Sequence, residues 1–105
     1  MTKAFEALSF PCGKAMANRM VLAPLTNTQS EADGRLSKDE IHWLAMRAKG
    51  GFGLTMTAAA HVNVLGQGFP GQLGIFSDEH LPGLTTLAEK IKAQGSLAVV
   101  QLHHA

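Results

Sequence analysis

The side chains most capable of chemistry are near the end of the chain, at residues 101–104. Gln101 and His103 are two residues apart in an apolar run that predicts a strand, so their side chains share one face, while His104 points to the other. The adjacent histidines therefore cannot chelate one metal ion from a regular strand. We expect Gln101 to be a buried amide, and an unpaired buried amide costs about 1–3 kcal/mol. It either ties a neighbouring strand or loop, or reads a ligand edge that has both donors and acceptors.

The remaining candidate motifs are weak. His42, His61 and His80 have no metal-ligand spacing with the terminal histidines, so we expect no metal site. Residues 66–71 have the spacing G-x-G-x-x-G, but a proline interrupts them and no helix starts there, which argues against a dinucleotide fingerprint. Cys12 is the only cysteine and forms no internal disulfide; we expect a small, partly buried thiol.

Composition limits the class of protein without naming a function. Of the 105 residues, 46% are apolar, enough for a core, and only 16% are charged, which is low for a small domain. Nine basic and eight acidic residues give a net charge of +1 with no basic block, so no nucleic-acid partner is expected. The chain has neither a signal-peptide-like start nor an apolar run as long as a membrane span. We expect a cytoplasmic protein with no membrane association.

Strands and helices are predicted to alternate along the chain. Residues 1–19 predict a lead-in hairpin with its turn near residues 11–13. Apolar runs predict strands at residues 20–23, 53–59 and 97–102. One helix begins at Ser37, whose spacing to Glu40 predicts a capping box, and a second begins at residues 77–79 with Pro82 in its first turn. Between residues 61 and 77 we expect a long packed loop. This order indicates an α/β fold with a parallel sheet and right-handed crossovers.

Residues 20–26, MVLAPLT, predict a short strand that is buried on both faces and ends at Pro24, which has no N–H for a ladder. Leu25 and Thr26 follow its carboxyl end, where ligands bind in α/β sheets and barrels. An ordinary core strand with an ordinary exit loop explains the same residues. The alanines at 58–60 indicate either close approach by a flat group or tight helix–sheet packing.

Three segments together resemble the Old Yellow Enzyme family. The segment NRMVLAPLT (18–26) is similar to the family's N-terminal strand, GQLGIFSDEHLPG (71–83) to the segment entering its second barrel helix, and VVQLHHA (99–105) to its third strand. The resemblance implies a TIM (β/α)8 barrel that binds FMN at the carboxyl ends of its strands. Residues 1–105 would be the N-terminal segment of this one domain, with the lead-in hairpin at 1–19 and β-α-β-α-β at 20–105. A complete barrel needs about 250 residues.

The resemblance also implies a function for the complete protein: an FMN-dependent NAD(P)H oxidoreductase, or ene reductase, that reduces activated C=C bonds such as those of enones by hydride transfer from reduced flavin. Thr26 would bond near flavin O4, Gln101 would read the pyrimidine edge, and His103 would line the substrate side of the pocket. The cofactor-binding residues that the family match implies are Pro24, Leu25, Thr26, Ala59 and Gln101.

The catalytic residues of such an enzyme are expected beyond Ala105, because the family's substrate-binding His-His or His-Asn pair and its proton-donating Tyr belong to later strands. We therefore expect the 105-residue piece to be inactive alone. Many relatives carry an acidic residue where this chain has Ala58, so we expect the end of the second strand to differ from theirs. The expected partner of the complete enzyme is a small-molecule substrate, and a homo-oligomer is left open. The alternative is a non-catalytic partial barrel that acts as a binding or assembly module.

Overall fold

The first strands form a small antiparallel hairpin in the computed structural model, which describes residues 2–105. A 3₁₀ turn at Thr2–Phe5 precedes strand β1 (Leu8–Ser9), which pairs with β2 (Ala15–Met16). Gly13 lies in the turn with φ 89°, a conformation that glycine adopts without steric cost. Cys12 is exposed, so the expectation of a partly buried thiol is wrong. Residues 11–14 at the tip of the hairpin are all exposed, and no residue of the described part of the chain buries the thiol.

The main sheet contains three parallel strands in the order β3-β4-β5. They are β3 (Val21–Leu22), β4 (Leu54–His61) and β5 (Leu97–His103). Each consecutive pair is joined by a crossover that contains a helix, which parallel pairing requires because a tight turn cannot connect parallel neighbours. The carboxyl ends of β4 and β5 therefore lie at one edge of the sheet.

Strand β3 differs from the strand predicted at residues 20–23. It has only two paired residues, and it is not buried on both faces, because Val21 is 45% exposed while Leu22 is 8% exposed. Leu22 packs into the core with both helices, whereas no described element covers the opposite face. Strand β4 runs to His61, beyond the predicted end, because the following loop returns beside it and pairs His61 with Gly74.

Helix α1 (Lys38–Lys49) begins where the sequence predicts. The N-cap is Ser37, whose Oγ accepts a hydrogen bond from the Glu40 N–H at 3.0 Å. The reciprocal half of the predicted capping box is absent, because the Glu40 carboxylate accepts a hydrogen bond from Ser30 instead of the Ser37 N–H. The Glu40 side chain is thus bound by a residue of the preceding loop, Ser30, and not by the N-cap of its own helix.

Helix α2 (Leu81–Ala93) follows a 3₁₀ turn at Asp78–His80, and Pro82 lies in its first turn as predicted. The long loop before it contains one further 3₁₀ turn, Val64–Gly66. Both long helices pack against the same core, so they share one side of the sheet. The core residues are Leu22, Leu44, Ala48, Leu87 and Ile91. No helix within residues 2–105 has the length and apolar character needed to cross a membrane.

The uncovered side of the sheet predicts the behaviour of the isolated chain. Met20 and Val21 are exposed, Met56 and Val99 are only half-buried, and β3 and β5 each have one strand neighbour in the described sheet. Open parallel edges beside an apolar face promote association. We expect the isolated 105 residues to self-associate or to unfold without a sharp transition, measured by analytical ultracentrifugation and thermal denaturation with the full-length protein as control. A compact monomer with a sharp cooperative transition would contradict this prediction.

Candidate functional site

The pairing of β4 with β5 brings three of the residues singled out from the sequence together. Ala59 is the register partner of Gln101, and His61 is the register partner of His103. Register partners on parallel strands lie side by side on the same face. Ala59, Gln101 and His103 thus form a continuous patch at the carboxyl edge of the sheet, the edge at which α/β folds bind ligands.

A β-bulge in β4 decides which alanine belongs to this patch. Met56 pairs with Val99 and Ala59 pairs with Gln101, so three steps along β4 match two along β5. With regular alternation Ala58 would sit beside Gln101. The extra residue puts Ala59 there instead, and it leaves Ala58 buried. Bulges of this kind commonly re-aim side chains beside functional sites.

The bulge is held by the Thr57 hydroxyl. Oγ1 accepts a hydrogen bond from the Gln101 N–H at 3.3 Å and donates one to the Ala58 carbonyl oxygen at 2.7 Å. It therefore satisfies a backbone donor that the interrupted ladder leaves without a carbonyl. The sequence analysis did not single out Thr57. The available signal was a hydroxyl directly before a run of alanines.

Gln101 is exposed at its edge, which corrects the expectation of a buried amide. That expectation came from its position in an apolar strand, but nothing in the described part of the chain covers this face. Its side chain forms no hydrogen bond within residues 2–105, so it does not tie β5 to a neighbouring strand or loop of this segment. Both the amide donor and the amide acceptor remain available to a ligand.

The loop after β3 carries the other predicted cofactor residues. Pro24 is half-buried and follows the last ladder pair, Leu22 with Thr55, so pairing stops before the proline. Leu25 and Thr26 are exposed. No hydrogen bond connects these loop residues to the patch on β4 and β5.

The β3 loop and the β4 loop are in backbone contact. Thr28 has φ 51°, a left-handed conformation that is uncommon for a β-branched residue. A Cβ on Gly71 would lie 2.7 Å from the Thr28 carbonyl oxygen, so only glycine fits there. The Ser30 N–H donates to the Gly71 carbonyl oxygen at 3.2 Å, and the Gly74 N–H donates to the Gly34 carbonyl oxygen at 2.9 Å.

Glu40 connects helix α1 to the β3 loop. Its carboxyl group is fully buried and accepts a hydrogen bond from the Ser30 hydroxyl, while Oε2 has no hydrogen-bond partner in the described structure. Burial raises the pKa of Glu40 above its ordinary value of 4.5, and the hydrogen bond from the Ser30 hydroxyl acts in the opposite direction.

Gln72 joins the β4 loop to the patch, and the sequence analysis missed it. This side chain is buried; its Oε1 accepts a hydrogen bond from the Gly68 N–H at 2.7 Å, and its Nε2 donates to the Ala59 carbonyl oxygen at 3.1 Å. Nε2 also lies 3.1 Å from His103 Nδ1. The signal was an amide inside the packed segment GQLGIF.

His61, the register partner of His103, turns toward the loop. Its Nδ1 lies 2.9 Å from the Asn63 carbonyl oxygen, and its ring lies 5.0 Å from that of Phe76. Within the described residues, no group of three or more His, Cys, Asp and Glu side chains could hold a metal ion. The polar groups of the patch are the amide of Gln101 and the imidazole of His103.

Comparison with known proteins identifies the family. The model of the NADH:flavin oxidoreductase / NADH oxidase family matches residues 4–105. The chain belongs to this family. Among curated relatives it is 43% identical over 100 residues to the probable NADH-dependent flavin oxidoreductase YqiG of Bacillus subtilis, covering 95% of this chain and 27% of YqiG. It is 39% identical over 105 residues to the NADH:acrylate oxidoreductase of Vibrio harveyi, covering 100% of this chain and 10% of that protein.

Solved structures of this flavin oxidoreductase family share the fold. A 2-naphthoyl-CoA reductase superposes with a TM-score of 0.92 at 32% identity, over 97% of this chain and 16% of the other. The Old Yellow Enzyme homologue from Zymomonas mobilis superposes with a TM-score of 0.88 at 26% identity, over 97% of this chain and 28% of the other. The predictions of the Old Yellow Enzyme family and of an N-terminal part of a TIM barrel are confirmed. The chain spans about a quarter of YqiG and a smaller share of the acrylate oxidoreductase.

The raised pKa of Glu40 predicts how stability depends on pH. Because the folded state holds the proton more tightly than the unfolded state, the free energy of unfolding should fall as pH rises from 4.5 through the raised pKa. Glu40→Gln removes this titration, so we expect a flatter pH dependence of the free energy of unfolding above pH 4.5. Denaturant titrations at a series of pH values measure it.

The matched control is Glu31→Gln, which makes the same change at an exposed position of the β3 loop. Glu31→Gln should have the same dependence of the free energy of unfolding on pH as the wild type. If Glu40→Gln also leaves this dependence unchanged, the buried carboxyl group does not set it.

Proposed function

We propose that the chain forms the first part of an FMN-dependent NAD(P)H oxidoreductase that reduces electron-poor alkenes. The observation that carries the proposal is the pairing of Gln101 with Ala59 on the uncovered face of the sheet. The Gln101 amide has a free donor and a free acceptor, and the neighbouring Ala59 is too small to obstruct a flat ring. Membership of the flavin oxidoreductase family supports the same cofactor.

The donor set fits a flavin. The pyrimidine edge of the isoalloxazine carries N3–H and O2, which match the acceptor and the donor of one carboxamide, here that of Gln101. Ala59 leaves room for the ring, and the exposed hydroxyl of Thr26 is available for O4. Pro24 and Leu25 would contribute apolar contacts from the β3 loop. When bound, FMN would supply the hydride chemistry that couples oxidation of NAD(P)H to reduction of an activated alkene, with the proton supplied by a group outside these residues.

The residues of this chain would bind and orient the cofactor. Gln101 would fix the rotation of the ring in its plane, because both of its hydrogen bonds lie along one edge. The Thr26 hydroxyl would donate a hydrogen bond to flavin O4. A donor at this position stabilises the negative charge that builds up on O4 when the flavin is reduced. Thr57 would act indirectly, since its hydroxyl holds the backbone N–H of Gln101 at the bulge.

The proposed substrates are alkenes conjugated to a carbonyl or carboxylate group. Two relatives are named NADH:acrylate oxidoreductase and NADH:fumarate oxidoreductase, and both names refer to an alkene next to a carboxylate. Conjugation of this kind makes the β-carbon electrophilic, which hydride transfer requires. His103 would line the substrate side of the pocket, next to Gln101. The proposed partner is thus a small molecule.

The alternative, a non-catalytic partial barrel that binds or assembles with other pieces, is favoured by one observation. An apolar groove of about 200 Å³ opens between α2 and β5. A reading frame that continues past Ala105 with FMN bound to its product would favour the oxidoreductase. A stop codon there with a stable oligomer in solution would favour the alternative.

Gln101→Leu tests the flavin assignment in the full-length protein. It leaves the ligand's polar edge against an apolar group, which should cost about 1–3 kcal/mol of FMN affinity, roughly 5- to 150-fold in Kd. Apo stability should change little, because the side chain is exposed and makes no hydrogen bond within residues 2–105. FMN titration followed by flavin fluorescence, with an apo unfolding curve, measures both quantities.

Gln94→Leu is the control, since Gln94 is an exposed amide at the end of α2, away from the patch. It should retain wild-type FMN affinity. Equal affinity in the two variants, or an apo destabilisation of Gln101→Leu larger than its binding loss, would reject the assignment.

Thr57→Val tests the role of the bulge. The substitution keeps the shape of the side chain but removes the acceptor of the Gln101 N–H. We expect apo stability to fall by about 1 kcal/mol and FMN Kd to rise about fivefold, because Gln101 loses its fixed position. Calorimetry and fluorescence titration measure the two effects.

The matched control is Thr55→Val, on the same strand and also buried, whose hydroxyl is hydrogen-bonded to Ser96 Oγ at 2.8 Å. It should lose a similar amount of stability without the change in FMN affinity. If both variants weaken FMN binding equally, the bulge hydroxyl has no specific role in the site.

A further inference from the structure

The amide orientation of Gln72 is fixed by two backbone groups. The Gly68 N–H can only donate, so the side-chain atom 2.7 Å from it must be the oxygen, Oε1. The Ala59 carbonyl oxygen can only accept, so the atom 3.1 Å from it must be the nitrogen, Nε2. Both contacts lead to the same orientation, and the side chain is buried, which leaves no room for solvent to compete.

This orientation determines the tautomer of His103. Gln72 Nε2 has no acceptor capacity, so His103 Nδ1, 3.1 Å away, must accept the hydrogen bond and carry no hydrogen. The neutral imidazole then carries its hydrogen on Nε2. His103 Nε2 forms no hydrogen bond with residues 2–105 and does not belong to the buried polar atoms that lack one. It is therefore available to a ligand.

Other histidines of the chain show that this tautomer is not a default. His61 and His104 each have Nδ1 at 2.9 Å from a carbonyl oxygen, so they carry the hydrogen on Nδ1. His80 carries it on Nε2, because its Nδ1 accepts from the Ser77 N–H and its Nε2 contacts the Asp33 carbonyl oxygen. His103 is the one of these four whose tautomer depends on another side chain.

We propose that Gln72 is a positioning residue that holds His103 as its Nε2–H tautomer. The site thereby gains a neutral hydrogen-bond donor on its substrate side, suited to a carbonyl or carboxylate oxygen of the bound alkene. The link to substrate rests on the proposed function, whereas the tautomer follows from the contacts of this chain alone. Gln72 also ties this donor to Ala59, so the cofactor side and the substrate side of the site are positioned by one amide.

The tautomer is tested by long-range ¹H–¹⁵N correlation spectra of the full-length protein with labelled histidine. Wild-type His103 should show hydrogen on Nε2. Gln72→Glu offers only acceptors and should move the hydrogen to Nδ1, while Gln72→Met offers neither group and should give a mixture. His80 is an internal reference that both variants should leave unchanged, and Gln67→Glu makes the same change at an exposed amide of the same loop.

The link to substrate is tested by the rate constant for oxidation of the reduced enzyme by 2-cyclohexenone. Each Gln72 variant should lower it about five- to tenfold, the effect of losing one hydrogen-bond donor. In a His103→Phe background the same substitutions should cause no further loss, because Gln72 acts through His103. Gln67→Glu should keep the wild-type rate constant.

Three results would overturn the proposal: hydrogen on Nδ1 in wild-type His103, an unchanged tautomer in both Gln72 variants, or a full rate loss from Gln72→Met in the His103→Phe background. Gln72→Met provides the test if the charged variant does not fold. A full-length protein that binds no FMN would reject the proposed function and the role toward substrate. The spectra of that protein would still decide the tautomer.

Discussion

The register of β4 against β5 is the constraint on which the rest of the site depends. Side chains alternate between the faces of a sheet, so a shift of one residue transfers every side chain beyond it to the other face. The bulge at residues 57–58 makes such a shift inside β4, where Met56 still pairs with Val99 but Ala59 pairs with Gln101. Met56 therefore takes the uncovered face in the first half of β4, and in the second half Ala59, not Ala58, takes that face beside Gln101.

The features that the sequence predicted are those decided by neighbours along the chain. Ser37 caps α1 through the N–H three residues later, and Pro82 fits the first turn of α2 whatever surrounds it. The segment order required parallel strands with helical crossovers, and the structure has them. The family resemblance predicted Ala59 and Gln101 as residues of one cofactor site, and their pairing on β4 and β5 came only from the structure.

What the sequence did not reveal depends on partners distant along the chain. Glu40 follows the capping-box spacing, but a hydroxyl ten residues earlier in the β3 loop takes its carboxylate. Gln101 occupies an apolar strand yet is exposed, because burial depends on which elements cover a face and not on the strand itself. Thr57 and Gln72 look like ordinary strand and loop residues until the fold brings Gln101 and His103 to them.

The contact between Gly71 and Thr28 has a consequence for attempts to alter selectivity by exchanging loops between related barrels. The two loops meet through backbone atoms, with no room for a Cβ at Gly71 and further backbone hydrogen bonds from Ser30 and Gly74. Backbone against backbone leaves no side chain that could repack around a foreign neighbour. The β3 and β4 loops are therefore a single transplantable unit, and a chimera that takes one of them from a relative must take both.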